Sequence, residues 1–133
     1  MKRHEKLIPY SRFHRQILFL ALISKSNAPD VKGYPTEIQD KIDFALGFYK
    51  NELSPHFSEE KTKLFDQYQG RDNEIDDLIE DLLKEREEIK LLFQELSLKR
   101  EEHMLNRLGD LLEKHVRKEE RQFFQLLQRI FLD

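Results

Sequence analysis

The chain has 133 residues, enough for one domain with a single core. Charged residues make up 37% and hydrophobic residues 38%, with four Gly and four Pro, a balance that favours helices with wide solvated faces over a sheet protein. The net charge of −3, without a basic cluster along one face, argues against nucleic-acid binding, and the lack of cysteine excludes disulfides, thiolate metal sites and thiol catalysis.

The first half of the chain predicts two helices. The first runs from about Ser11, which we interpret as its N-cap, to Ser26. After a loop containing Pro and Gly, Thr36 begins a longer second helix that reaches about Tyr68. Pro55 lies inside this helix and is expected to kink it or split it in two, because proline removes a backbone donor and clashes with the preceding turn.

The second half predicts two more helices. Asp72 or Asn73 opens the third, which fades near Leu96, and Ser97 is expected to cap a fourth that runs to the C-terminus. The core stripe of the fourth helix is predicted to include Leu108, Leu112, Phe123, Leu126 and Ile130. Four helices on short connections predict an all-α fold, an up-and-down antiparallel four-helix bundle that forms a single domain over residues 1–133.

Polar side chains interrupt the apolar stripe of each predicted helix near its middle. They are His14 in the first helix, His56 and Glu60 in the second, Arg86 in the third, and His115 and Glu119 in the fourth. The segments HFSEEKTKLF and HVRKEERQFF resemble each other, since each has Glu four residues and Phe nine residues after its His. A bundle would gather these groups at its centre, whereas His4 and His103 lie off the stripes and are expected at the surface.

Such a cluster has a chemical use. Residues four apart stand side by side on a helix, so one His–Glu pair can hold a metal ion from one side. Imidazole and carboxylate without thiolate suit iron, manganese or zinc. The alternative is a polar layer without metal, in which another cation neutralises the carboxylates.

The motifs resemble those of the hemerythrin-like (HHE cation-binding) domain. The resemblance rests on the order His14, HFSEE and HVRKEER, and extends from LIPYSRFHRQIL to EERQFFQLLQ. It implies a four-helix bundle with a non-haem di-iron centre that binds oxygen or related ligands. By the same resemblance, His14 and His56 would ligate one iron, Glu60 and Glu119 would bridge, and His115 would ligate the second iron.

The third helix departs from this family pattern. The family brings a histidine there, whereas this chain reads KEREEI with Arg86 at that place, and no histidine lies between His56 and His103. Arginine offers only donors and cannot coordinate a metal, but its planar fork suits Glu60 or Glu119. We therefore expect Arg86 to replace the second metal half-site. The alternative is that Arg86 turns outward to surface acids such as Glu85 or Glu87.

These observations favour a cation-binding protein over an enzyme. We expect one iron ion rather than two, with a small diatomic ligand as a further partner; the alternative is a metal-free bundle that acts as a regulatory or interaction module. A ferritin-like enzyme would need Glu three residues before its histidines, where this chain has Ser11, Leu53 and Leu112. The longest apolar run, ILFLALI, is too short to span a membrane, and the N-terminal stretch has no small-residue cleavage site, so we expect a cytoplasmic protein.

Overall fold

Four helices build the protein in the computed structural model, which describes residues 2–132. They are α1 (Ile8–Ser24), α2 (residues 38–68), α3 (Asn73–Lys99) and α4 (residues 102–132). Consecutive helices contact each other and α4 packs against α1, which closes the bundle. The predicted all-α four-helix fold is confirmed. The ends of the predicted single domain, Met1 and Asp133, lie outside the described residues.

Three of the predicted helix starts are wrong. Helix α2 begins at Ile38, two residues after Thr36, and has Glu37 at its N-cap position. Helix α1 begins at Ile8, three residues before Ser11, and the Ser11 hydroxyl donates to the Glu120 carboxylate at 2.7 Å instead of capping a helix. Ser97 lies inside α3, which ends only where Arg100 adopts a left-handed conformation with φ of 51°. The predicted cap at Asp72 is confirmed, since its carboxylate accepts the backbone N–H of Ile75 at 3.0 Å.

Helices α2 and α4 contain wider π-helical turns. In α2 these turns are Tyr49–Leu53 and Lys61–Phe65, and in α4 they are Glu119–Phe123 and Gln128–Leu132. Pro55 does not split α2, because it falls in the first turn after Tyr49–Leu53, where the wider turn accommodates the missing donor. In both helices a π turn begins at, or directly after, the glutamate of the His–Glu pair. Such turns are frequent at functional sites.

The hydrophobic core consists of two clusters, one on each side of a polar layer. One cluster centres on Leu20, Ile42, Leu53, Ile89, Leu105 and Leu108, the other on Phe65, Ile75, Ile79, Leu82, Phe123 and Leu127. Helices α1 and α4 approach closely at Gly109, where an added Cβ would lie 2.7 Å from the carbonyl oxygen of Ala21. None of the helices within residues 2–132 is long and apolar enough to cross a membrane.

We also predicted that Ile130 is buried and that His4 and His103 are exposed. Ile130 is 41% exposed, so its predicted core position is wrong. His103 lies at the surface as expected, but His4 is half-buried, and its backbone N–H donates to the Gln128 side chain at 2.9 Å. A π turn begins at Gln128, and it takes Ile130 off the stripe that an α-helical period predicts.

Candidate metal centre

The polar layer brings together all six side chains that interrupt the apolar stripes. His14 comes from α1, His56 and Glu60 from α2, Arg86 from α3, and His115 and Glu119 from α4. Glu60 and Glu119 have no solvent exposure, His14, Arg86 and His115 are buried, and His56 is half-buried. Each helix contributes to a single layer because these residues occupy the middle of its inward face. The layer divides into two halves of different chemistry.

The half between α1 and α2 has the geometry of a cation site. His14, His56 and Glu60 each offer one ligand atom, and these three atoms lie within 4.8 Å of one another. The buried atoms His56 Nε2, Glu60 Oε2 and Glu119 Oε1 have no hydrogen-bond partner among the described residues. Leaving a buried polar atom unpaired is destabilising, so three such atoms in one layer fit a bound cation. Imidazole nitrogen and carboxylate oxygen are suitable donors for iron.

The histidines of this half differ in protonation. Burial lowers the pKa of His56 to about 4, so its imidazole is neutral at physiological pH and has a free lone pair. Burial alone would also lower the pKa of His14, but the negative charges of the nearby Glu119 and Glu120 carboxylates raise it to about 9. His14 Nδ1 lies 3.0 Å from Glu120 Oε2, and its Nε2 lies 3.6 Å from Glu119 Oε1. A metal ion at Nε2 would therefore displace a proton from this ring.

Arg86 fills the other half of the layer. Its guanidinium donates to Glu60 Oε1, to the Phe57 carbonyl oxygen at 3.2 Å and to Glu119 Oε2 at 3.5 Å. The group lies between two aromatic rings, 4.3 Å from the centroid of Phe57 and 4.4 Å from that of Phe65. Burial lowers the pKa of Arg86 to about 10, which leaves it charged at neutral pH. Arg86 thus faces inward, and the alternative of an outward-turned side chain is wrong.

His115 is engaged through both ring nitrogens. Its Nε2 accepts a hydrogen bond from Arg86 Nε at 3.3 Å, while Nδ1 lies 3.0 Å from Glu85 Oε1. Burial lowers its pKa, and the two contacts fit a neutral ring with the proton on Nδ1. His115 is not among the three side chains whose ligand atoms lie within 4.8 Å of one another, and its Nε2 lies 3.5 Å from Glu119 Oε2. Its role as a metal ligand stays a prediction.

Glu85 and Glu120 support the layer from outside, and our sequence analysis missed this role for both. Glu85 bridges His115 and Lys118, whose Nζ lies 2.6 Å away. Glu120 holds His14 and accepts from Ser11 and from Arg3, whose Nη2 lies 3.3 Å from it. A histidine that ligates a metal commonly donates its other N–H to a carboxylate, so acidic residues beside each core stripe were the signal to look for.

A buried layer of imidazoles and carboxylates inside four antiparallel helices defines the class of cation-binding helical bundles. The sequence model of the hemerythrin HHE cation-binding domain matches residues 12–127. The chain therefore belongs to the hemerythrin HHE family, and the resemblance seen in its motifs is confirmed. No curated protein and no solved structure matches it.

Proposed function

We propose that this protein binds a single metal ion in the bundle core, with iron as the metal. His14, His56 and Glu60 would hold the ion, and Glu119 would contribute its unpaired Oε1. The observation that carries the proposal is the set of three buried polar atoms without a hydrogen-bond partner among the described residues. When bound, the ion would supply Lewis acidity and an open coordination position for a small diatomic ligand.

The residues around the ion have separate tasks in this proposal. Glu120 keeps the His14 ring oriented with Nε2 toward the site, because it accepts from Nδ1. The two carboxylate oxygens of Glu60 have different partners, since Oε1 binds Arg86 and Oε2 is left for the ion. Arg86 supplies the positive charge that a second ion would have brought. We propose a binding protein of the cytoplasm rather than an enzyme.

A metal titration tests this proposal. Chelator-stripped protein should take up about one Fe(II) per chain under anaerobic conditions, as measured by elemental analysis after gel filtration. His56→Ala should abolish tight binding, because it removes the neutral imidazole. His103→Ala is the matched control, since that ring is 70% exposed and lies outside the layer. Two tightly held ions, or equal uptake by His56→Ala and the parent, would contradict the proposal.

A metal-free bundle that acts as a regulatory or interaction module is the second candidate. The observation that favours it is Arg86, which already binds Glu60 and lies 3.5 Å from Glu119. One guanidinium does not neutralise two carboxylates, but the protonated His14 adds the second positive charge. If protein from iron-rich medium holds no metal and stripped protein takes up none, this second candidate is the correct one.

A further inference from the structure

A cleft of about 640 Å³ lies between α1 and α2, apart from the metal centre. Its volume falls within the roughly 300–1,000 Å³ typical of small-molecule sites. Its walls are largely apolar and include Phe19 and Leu20 of α1 and Phe44 and Phe48 of α2. Tyr34, from the connection between the two helices, closes one end. None of the six residues of the polar layer lines this cleft.

Gly47 keeps one wall of the cleft open. It lies inside the helical segment Ile38–Phe48, where glycine is less favourable than alanine. Apart from its chain neighbours and its own helix backbone, no heavy atom of residues 2–132 lies within 4 Å of the place where its Cβ would be. Gly109, by contrast, is required by the close approach to Ala21. Packing within the chain therefore gives no reason for glycine at position 47, whereas an occupant of the cleft does.

The two ends of the cleft differ in character. At one end the rings of Phe19 and Tyr34 have centroids 4.5 Å apart, and Tyr34 meets Phe44 edge-on at 5.9 Å. Aromatic walls of this kind favour a flat apolar body. Asp43, beside this end, is already paired with Arg100 at 2.7 Å.

The other end is polar and has no net charge. Arg15 and Gln16 lie one turn before Phe19 in α1, and Asn51 and Glu52 lie one turn after Phe48 in α2. Because α1 and α2 are antiparallel, these four residues share one end of the cleft. One cation and one anion cancel, and the two amides offer both donors and acceptors. This end suits a neutral hydrogen-bonding group.

We infer that the cleft binds a neutral aromatic molecule that carries one hydrogen-bonding group. The aromatic body lies between Phe19, Phe44 and Tyr34, passes over Gly47, and directs its polar group to Gln16 and Asn51. This site is independent of the metal centre. It gives the protein a second ligand of a different chemical class.

Naphthol and indole are suitable probes. Their binding to the purified 133-residue chain is measured by calorimetry and by the chemical shifts of residues lining the cleft. We expect saturable binding of one probe molecule per chain. Gly47→Leu should weaken it by at least about tenfold, because the new side chain fills the space over which the ligand lies. Gly47→Leu should also raise the melting temperature, which separates loss of binding from loss of folding.

Gln67→Leu is the matched control, because it places the same side chain on an exposed position of α2 outside the cleft. It should bind both probes like the parent. The inference is overturned if neither probe binds at millimolar concentration, or if Gly47→Leu binds as tightly as the parent. Tighter binding of naphthoate than of naphthol would overturn the inference that the hydrogen-bonding group of the ligand is neutral. A dimer that Gly47→Leu dissociates would assign the cleft to a second copy of the chain and overturn the small-molecule site.

Discussion

Replacing Arg86 by alanine should destabilise the metal-free bundle severely. The guanidinium contacts Glu60 and lies 3.5 Å from Glu119, and neither carboxylate has any solvent exposure. Removing one partner of a buried ion pair costs roughly 3–5 kcal/mol, because an uncompensated charge stays in the core. For a domain of this size, we expect the melting temperature to fall by roughly 10–20 °C.

The measurement is urea and thermal unfolding monitored by circular dichroism. Chelator is present so that no metal takes the place of the guanidinium. Arg107→Ala is the control, because Arg107 is exposed, and it should stay within about 0.5 kcal/mol of the parent. Adding Glu60→Gln to Arg86→Ala should recover part of the lost stability, since the unpaired negative charge of Glu60 disappears. The reasoning is refuted if Arg86→Ala unfolds at the parent's midpoint.

Three further predictions follow from the same layer and its surroundings. Arg86→His should raise the iron bound per chain toward two while it lowers metal-free stability, as elemental analysis and unfolding curves would show. Metal-free stability should be greatest near pH 6.5. The raised pKa of His14 gives up to about 3 kcal/mol that is lost as pH rises toward 9, and the lowered pKa of His56 gives stability that is lost as pH falls toward 4. Gly109→Ala should lower the melting temperature, because its Cβ would lie 2.7 Å from the Ala21 carbonyl oxygen.

Each of these has a control or an outcome that contradicts it. Unchanged iron content in Arg86→His would show that the third-helix side chain does not limit the number of ions. His14→Gln should remove most of the stability loss that occurs as pH rises toward 9. If this variant loses as much stability over that range as the parent, the loss belongs to other groups. Gly47→Ala is the control for Gly109→Ala and should stabilise the fold, because the space around Gly47 is open.

The sequence was sufficient to predict the number and order of the helices, because the apolar period is strong in each of them. It was less informative about their ends. Ser11 and Ser97 are good capping residues by type, but Ser11 binds the distant Glu120 and Ser97 stays within α3. A contact between α1 and α4 decided the role of Ser11, and such a contact cannot be read from local propensity.

The sequence predicted which polar side chains meet in one layer, but it did not predict how that layer divides into two halves. Polar residues on apolar stripes identify the layer, because a buried charge needs partners wherever it occurs. Which carboxylate faces which cation depends on side-chain rotamers and on the π turns, and neither follows from spacing. The sequence therefore did not predict that His115 would be bound by Arg86 and Glu85 through its two nitrogens.

The π turns of α2 also give the chain a place inside a helix where its length can change. The turn Lys61–Phe65 holds an extra residue compared with regular α-helix. Deleting one residue there would leave a regular α-helical turn and keep the buried Tyr68 on the core-facing side, whereas a deletion in a regular stretch of α-helix would rotate everything after it by about 100°. The connection between α1 and α2 can also change in length, since it only joins helix ends. When relatives of this chain are aligned, one-residue gaps are therefore expected at Lys61–Phe65 as well as in the connections.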